Sequence, residues 1–176
     1  MPIEQPKFGE LYDKNNTLVA NHHNLHPTEL SATNPLHQFY NTKPDIAELS
    51  DLNENNPKVL EYFTHAYLQW LEQGADSIRI DTIKHMPHHF WKKLTDNIRA
   101  QYPDIFIFAE SFSYDAKFIA EHTQPENGGV SVLDFPGQKA ITSVFENKSS
   151  DYADILAHLH LNDGTYHNPY ELMTFY

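Results

Sequence analysis

Charged side chains interrupt a short apolar run in the middle of the chain. In the stretch ADSIRIDTIKHMPHHFW, residues 75–91, Arg79 and Asp81 stand among isoleucines, and Lys84 and His85 follow them. A charge in an apolar setting is costly unless it is paired, so this pattern indicates either a structural ion pair or a reactive site. Because side chains alternate along a strand, Arg79 and Asp81 fall on one face, where the arginine would keep the aspartate ionised.

Two further carboxylates end apolar runs later in the chain. Glu110 directly follows IFIFA, and Asp134 follows SVL. In barrels of parallel strands, reactive side chains lie at the carboxyl ends of the strands. Two carboxylates about 5 to 5.5 Å apart would serve as nucleophile and general acid/base in a retaining glycoside hydrolase. Asp81 and Glu110 are the candidates for that pair, whereas Asp134 is better explained as a helix-start or loop-anchoring residue.

Alternating helices and strands would position these side chains. Apolar spacing predicts a helix at 57–73, a strand at DSIRID, a helix at HHFWKKLTDNIRAQYP and a buried strand at DIFIFAES. The alternation continues with a helix at YDAKFIAEH, a strand at GVSVLDF, a helix at QKAITSVFENKS that DYADILAHLH extends, and a strand beginning at ELMTFY. This pattern is typical of βα units on a parallel sheet and predicts an α/β fold.

The first third of the chain differs from the rest in composition and in periodicity. Residues 1–56 are rich in Asn, His, Pro and Thr and show no sustained apolar period. They are predicted to form an irregular, loop-dominated region, and loops of this length are usually functional. The sequence therefore predicts two parts, residues 1–56 and residues 57–176.

Composition limits the class of partner. The chain has 176 residues, with 24 acidic against 12 basic side chains and a formal net charge of −12. That charge disfavours nucleic acid and anionic membranes as partners. The absence of cysteine excludes disulfides and thiolate metal sites. No apolar run approaches the roughly 20 residues that span a bilayer, and the opening MPIEQPKFGE lacks the pattern of a secretory signal.

Histidines are concentrated in two short segments. NHHNLH and KHMPHH together hold six of the twelve histidines. A zinc site built from His22, His26, His85 and His89 is one alternative, and it would make the chain an unrelated metal-binding α/β protein. Pro87 argues against a helical pair of ligands there, so polar loop histidines are the preferred interpretation.

Two motifs resemble those of a known family. DSIRIDTIKH resembles the second conserved motif of family 13 glycoside hydrolases, the alpha-amylase family, and IFIFAES resembles the third. They occur in family order, separated by one helix. GELYD, HHN, LSDLNENNP, KHMP and SVLDF are similar to stretches of the bacterial alpha-amylase and cyclodextrin glucanotransferase branch. The resemblance implies a partial (β/α)8 TIM barrel, about strands 4 to 7, at residues 57–176, with a domain-B-like segment at residues 1–56.

The resemblance also implies roles for individual residues. Asp81 matches the nucleophile, Glu110 the general acid/base, and Arg79 the partner of the nucleophile. Lys84 and His85 match positions that contact sugar on the leaving-group side. The implied reaction is retaining hydrolysis of alpha-1,4-glucosidic bonds in starch-like glucans.

Loop aromatics and a metal complete the implied site. Phe112, together with Tyr40 and Tyr114, lies in loops near the implied barrel mouth, where a flat ring could stack on glucose. The position of Asp51 matches a calcium ligand, and the backbone carbonyl of His85 matches another, with one further family ligand expected outside this chain. Hard oxygen ligands of this kind suit calcium.

Departures from the family pattern set further expectations. The first and fourth family motifs are missing, so the chain is expected to be an internal piece of the catalytic domain, inactive alone and prone to self-association through exposed strand edges. Ser111 stands where the glucanotransferase branch commonly has tryptophan. Glucanotransferase-type transglycosylation and a non-catalytic carbohydrate-binding or assembly role remain alternatives. The resemblance favours an extracellular or periplasmic location.

Overall fold

The computed structural model describes residues 9–175, which form two compact units. One unit runs up to Ala66 and the other starts at Tyr67, so the boundary falls within the first helix, α1 (Pro57–Glu72). The division into residues 1–56 and residues 57–176 is a prediction about domains, and it stays a prediction.

A β-hairpin opens the first unit. Strand β1 (Glu10–Tyr12) pairs antiparallel with β2 (Leu18–Asn21). Asp13 closes the turn between them, because its carboxylate accepts the backbone N–H groups of Asn15 (2.9 Å) and Thr17 (2.8 Å). The sequence did not predict this hairpin, since strands of three and four residues are too short for a sustained alternation. The rest of the segment is irregular, as predicted, apart from a single-turn helix at Pro27–Glu29.

The second unit alternates helices and strands as the sequence predicts. Its remaining elements, in chain order, are β3 (Ser77–Ile80), α2 (His88–Arg99), β4 (Phe106–Ala109), α3 (Ala116–Ala120), β5 (Ser131–Val132), α4 (Phe135–Glu146) and α5 (Ala153–Leu156). The predicted helix at 57–73 is confirmed, and α2 buries its apolar stripe, Phe90, Trp91, Leu94 and Ile98.

Strands β3, β4 and β5 form one parallel sheet in that order. The register pairs Ile80 with Ala109 at the carboxyl ends of β3 and β4. Met173, in the predicted final strand, makes a single parallel bridge to Leu133, and its N–H donates to the carbonyl of Val132 at 2.9 Å. Strands β3, β4 and β5 and the bridged residue Met173 therefore run parallel side by side, which is the local arrangement of a (β/α)8 barrel.

One helix prediction is wrong. DYADILAHLH does not extend α4, which ends at Glu146, and α5 starts anew at Ala153. The side chain of Asn147 accepts the N–H of Ser149, and the side chain of Asp151 accepts the N–H of Ala153. These local bonds compete with helical ones and stop the helix.

Within residues 9–175, every helix is too short or too polar to span a membrane.

Candidate active site

Two carboxylates occupy neighbouring strand ends. Since Ile80 and Ala109 are paired in the parallel sheet, the residues that follow them, Asp81 and Glu110, leave the sheet side by side. The N–H of Glu110 donates to the carbonyl of Ile80 at 2.8 Å, which extends the ladder by one residue. The chain thus fixes the backbone of Glu110 against the strand that carries Asp81.

Arg79 lies between the two carboxylates. Its guanidinium contacts the carboxylate of Glu110, and its second terminal nitrogen lies 3.8 Å from a carboxylate oxygen of Asp81. The shared face of Arg79 and Asp81 agrees with the strand alternation, but the closer contact is with Glu110. The apolar setting expected for the charges is wrong, because β3 buries Ile78 and Ile80 and turns Arg79 to its exposed face. Glu110 is the most shielded of the three charged groups, at 30% exposure against 67% for Asp81.

The loop after β3 is tied to the end of β4. Thr82 has a φ of 53°, a left-handed conformation that is costly for a β-branched residue. The next residue, Ile83, donates its N–H to the carbonyl of Glu110 at 3.2 Å. The indole N–H of Trp91 then donates to the carbonyl of Ile83 at 2.7 Å. The strained backbone immediately after Asp81 is therefore held in place by hydrogen bonds to the end of β4 and to α2.

The structure brings Lys84 and Phe112 together. The ammonium of Lys84 donates to the backbone carbonyl of Phe112 at 2.9 Å and lies 5.8 Å from the centre of its ring. Phe112 follows Glu110 by two residues and is largely exposed. His85 lies in the same single-turn helix as Lys84, Ile83–His85, and is half-buried.

A buried pair that the sequence analysis missed supports the Glu110 segment. Ser111 is fully buried, and its hydroxyl lies 3.2 Å from the Nε2 atom of His122. Burial, and then the neighbouring His88, lowers the pKa of His122 to about 4, so the ring is neutral near pH 7. The sequence gives no signal for this contact, because the two residues are eleven positions apart on either side of α3.

Asp134 anchors a helix, in line with its preferred interpretation from the sequence. Its carboxylate accepts the N–H of Gly137 at 2.9 Å and caps the start of α4. A Cβ atom on Gly137 would come within 2.1 Å of that carboxylate, so a larger residue there would push the Asp134 side chain out of its capping position.

The predicted calcium ligand Asp51 lies in an acidic, polar part of the first unit. Its carboxylate accepts the side-chain N–H of Asn41 at 2.8 Å, and the same amide also donates to Glu54 at 3.2 Å. Burial raises the pKa of Asp51, and the charges of Asp45 and Glu54 add to that rise. The carboxylate of Asp51 is a hard oxygen donor of the kind that calcium takes, but Asp51 and its acidic neighbours do not form a group of three carboxylates arranged to hold a metal ion within residues 9–175.

The proposed zinc histidines form no metal cluster among residues 9–175. No group of three or more His, Cys, Asp or Glu side chains there is arranged to hold a metal ion. The loop histidines bond to one another and to the backbone instead. His37 accepts the N–H of Ser31 at its Nδ1 atom (2.9 Å), so its Nε2 carries the proton and donates to Nδ1 of His23 at 2.8 Å.

A family model and several known proteins are similar in sequence to this chain. The family model for the alpha-amylase catalytic domain matches residues 29–168. A cyclomaltodextrin glucanotransferase from Niallia circulans is 36% identical over 156 residues, which is 82% of this chain and 21% of the relative. An alpha-amylase from the same organism is 30% identical over 177 residues, 95% of this chain and 32% of the relative. The chain thus spans about a fifth to a third of the length of these curated relatives.

Solved structures give the same result. A cyclomaltodextrin glucanotransferase with a three-domain arrangement superposes with a TM-score of 0.72 at 27% identity, covering 95% of this chain and 35% of the other. An Anoxybacillus alpha-amylase superposes with a TM-score of 0.71 at 26% identity, covering 78% of this chain and 33% of the other. These neighbours imply a (β/α)8 barrel as the parent fold of the parallel sheet. The chain belongs to the alpha-amylase family of glycoside hydrolases, family 13.

Proposed function

We propose that Asp81 and Glu110 carry out retaining hydrolysis of alpha-1,4-glucosidic bonds in starch-like glucans. The observation that supports this most is the position of Arg79 between the two carboxylates, at the adjacent ends of β3 and β4. The family membership supplies the substrate class. We propose Lys84, His85 and Phe112 as sugar-contacting residues beside this pair.

The division of labour between the two carboxylates is taken from the family resemblance. Glu110, the more shielded group, protonates the glycosidic oxygen while Asp81, the more exposed group, attacks the anomeric carbon. The leaving sugar departs with the proton from Glu110, and a covalent glycosyl ester forms on Asp81. Glu110 then takes a proton from water, which attacks the ester and releases the sugar.

Transglycosylation is the second candidate, because a glucanotransferase as well as an alpha-amylase is among the similar proteins, at 36% identity over 156 residues and 30% identity over 177 residues. The two reactions share the covalent step and differ in whether water or a sugar hydroxyl attacks the ester. Analysis of products from maltohexaose separates them, because transfer yields cyclic or lengthened glucans and hydrolysis yields only shorter ones.

The test uses a chimera in which the matching part of this chain replaces the aligned segment of the Niallia circulans glucanotransferase. Release of nitrophenol from 4-nitrophenyl maltoside is measured for the chimera, its Asp81→Asn and Glu110→Gln variants, and the 176-residue chain alone. The proposal expects an active chimera, losses of several orders of magnitude in both variants, and no turnover by the chain alone. Full activity in either variant would overturn the two-carboxylate assignment, and a chimera without activity would favour a binding or assembly role.

We also propose calcium as a structural ligand, with Asp51 as one oxygen donor and the carbonyl of His85, taken from the resemblance, as another. The raised pKa of Asp51 and its acidic neighbours support a cation at that carboxylate. Thermal unfolding with calcium, with magnesium and with a chelator tests this. A calcium-specific rise in Tm that Asp51→Asn removes is expected, and equal Tm values in all three conditions would reject the ion.

Two further proposals concern the chain outside its site. An extracellular or periplasmic location follows from the resemblance, and fractionation of expressing cells tests it.

Self-association is proposed because β3 has a partner strand on one side alone within residues 9–175. Sedimentation velocity over a range of concentrations would show a rising mass, and a constant monomer mass would contradict it.

A further inference from the structure

Two aromatic rings follow one another in the loop after β4. Phe112 and Tyr114 are 52% and 47% exposed, and their ring centres lie 5.6 Å apart at an angle of 66°. Single exposed aromatic side chains are ordinary, but these two contact each other and form one apolar surface. This surface starts two residues after Glu110 and leads away from it along the loop.

The loop that carries these rings is held in place. The hydroxyl of Ser113 accepts the N–H of Asp115 at 3.1 Å, and the carboxylate of Asp115 caps α3 by accepting the N–H of Lys117 at 2.9 Å. Phe112 also packs edge-on against Phe135, at 5.0 Å between ring centres. A fixed loop presents its rings with little ordering cost when a ligand binds.

A lysine accompanies each ring. Lys84 lies 5.8 Å from the centre of Phe112, and Lys139, from α4, lies 4.6 Å from the centre of Tyr114. A cation at this distance over one face of a ring is attracted to it and limits its rotation. Each aromatic side chain is thus paired with a donor that can reach a ligand hydroxyl. We call the group Lys84, Phe112, Tyr114 and Lys139 the aromatic strip.

We propose that Tyr114 and Lys139 form an additional glucose-binding subsite, which takes the sugar unit beyond the one at Phe112. This inference rests on the proposed function and deepens it. The ligand is the continuing neutral glucan chain, because an apolar ring with a single hydrogen-bond donor matches the flat face and hydroxyls of a sugar. Each lysine of the strip lies over its own ring.

The subsite predicts a dependence on chain length. A short oligosaccharide that ends at Phe112 gains nothing from Tyr114, whereas a longer one adds a stacking contact. Affinity for maltoheptaose should therefore exceed affinity for maltotriose. Removing the Tyr114 ring should remove that advantage and weaken maltoheptaose binding roughly three- to tenfold.

The experiment follows ring resonances of phenylalanine and tyrosine by NMR in the 176-residue chain while maltotriose or maltoheptaose is added. The variants are Tyr114→Ala, Tyr114→Phe, Lys139→Met and, as a control, Tyr170→Ala, which removes a 79%-exposed tyrosine outside the strip. Tyr114→Phe should bind like wild type, because stacking needs no hydroxyl. Lys139→Met should weaken maltoheptaose binding less than Tyr114→Ala does.

Each outcome separates the subsite from the proposed function. The subsite is wrong if the ring resonances of Phe112 shift on titration but those of Tyr114 do not, or if Tyr170→Ala weakens binding as much as Tyr114→Ala. In either case the proposed glucan site at Phe112 is retained. If the ring resonances of neither residue shift with any oligosaccharide, both the subsite and the proposed glucan site at Phe112 are wrong. If dextran sulfate displaces maltoheptaose at low salt and shifts the Tyr114 ring more, the ligand is anionic and the proposal is overturned.

Discussion

The guanidinium of Arg79 contacts the carboxylate of Glu110 and at the same time lies 3.8 Å from a carboxylate oxygen of Asp81. One cation thus serves two carboxylates that would otherwise repel each other at adjacent strand ends. A flat, forked guanidinium can engage both at once, which a single ammonium cannot do as well.

Replacing Arg79 should therefore damage turnover in the chimera. Arg79→Met is expected to lower kcat by about a hundredfold or more, and Arg79→Lys by a smaller factor, because a point charge replaces a two-sided contact. The assay is nitrophenol release from 4-nitrophenyl maltoside. The matched control is Lys92→Met, which removes a lysine paired with Asp96 at 2.6 Å on the surface of α2 and should change little. Equal activity in Arg79→Met and Lys92→Met would contradict this role for Arg79.

The two tryptophans should differ sharply in their contribution to stability. The indole N–H of Trp91 donates to the carbonyls of Ile83 (2.7 Å) and Met86 (3.2 Å), so Trp91→Phe removes both hydrogen bonds that join the indole to the loop after β3. The expected loss in the free energy of unfolding is about 1–3 kcal/mol, measured by urea denaturation. Trp70 is 66% exposed, and Trp70→Phe should cost less than about 0.5 kcal/mol. Comparable losses in the two variants would mean that the loop after β3 does not depend on Trp91.

His122 should make stability depend on pH. Its pKa is lowered in the folded state to about 4, by burial and then by His88, so the unfolded chain binds the proton more readily. The stability it contributes is complete above its ordinary pKa and is lost as the pH falls from about 6.5 to about 4. The groups around the ring are Ser111, Phe118 and the pair formed by His88 and Glu121.

The measurement compares urea denaturation at pH 7 and pH 4 for the wild type and His122→Gln, which keeps a polar group facing Ser111 but does not titrate. The difference in unfolding free energy between the two pH values should be smaller in the variant by about 3 kcal/mol. The control is His89→Gln, at an exposed position of α2. An unchanged pH dependence in His122→Gln would show that His122 is not held neutral.

Asp134 should behave as a structural residue. Asp134→Ala removes the cap of α4 and should cost about 0.5–2 kcal/mol of stability, whereas Asp134→Asn retains an acceptor for the N–H of Gly137 and should cost less. Urea denaturation measures both. Equal losses in the two variants would mean that the charge at Asp134, which both variants remove, matters more than its capping oxygen, which only the alanine variant removes.

Local patterns in the sequence account well for the helices and strands from residue 57 onward. Helix α1 (Pro57–Glu72) follows from its apolar spacing and its proline start, and the strand ends that carry Asp81 and Glu110 follow from short apolar runs. The hairpin of β1 and β2 was missed because its pairing depends on a turn bonded by Asp13, not on periodicity. The end of α4 was missed for a similar reason, since side-chain bonds at Asn147 override helical spacing.

Tertiary contacts at the site were harder to predict. Strand alternation placed Arg79 on the face of Asp81, but its contact with Glu110 depends on the register between β3 and β4, which no local pattern encodes. The pairing of Ser111 with His122 likewise arises when α3 folds back beside the strand end. Residue types at strand ends therefore identify the chemistry, while the sheet register decides which groups meet.

The most direct test of the central claim is to trap the covalent intermediate. The Glu110→Gln chimera is incubated with alpha-maltosyl fluoride, whose fluoride leaves without a proton from Glu110, and the protein is digested and analysed by mass spectrometry. The account predicts one maltosyl unit joined to the carboxylate of Asp81, and no label in the Asp81→Asn, Glu110→Gln double variant. A maltosyl unit on any other residue, or equal labelling of the double variant, would contradict Asp81 as the nucleophile.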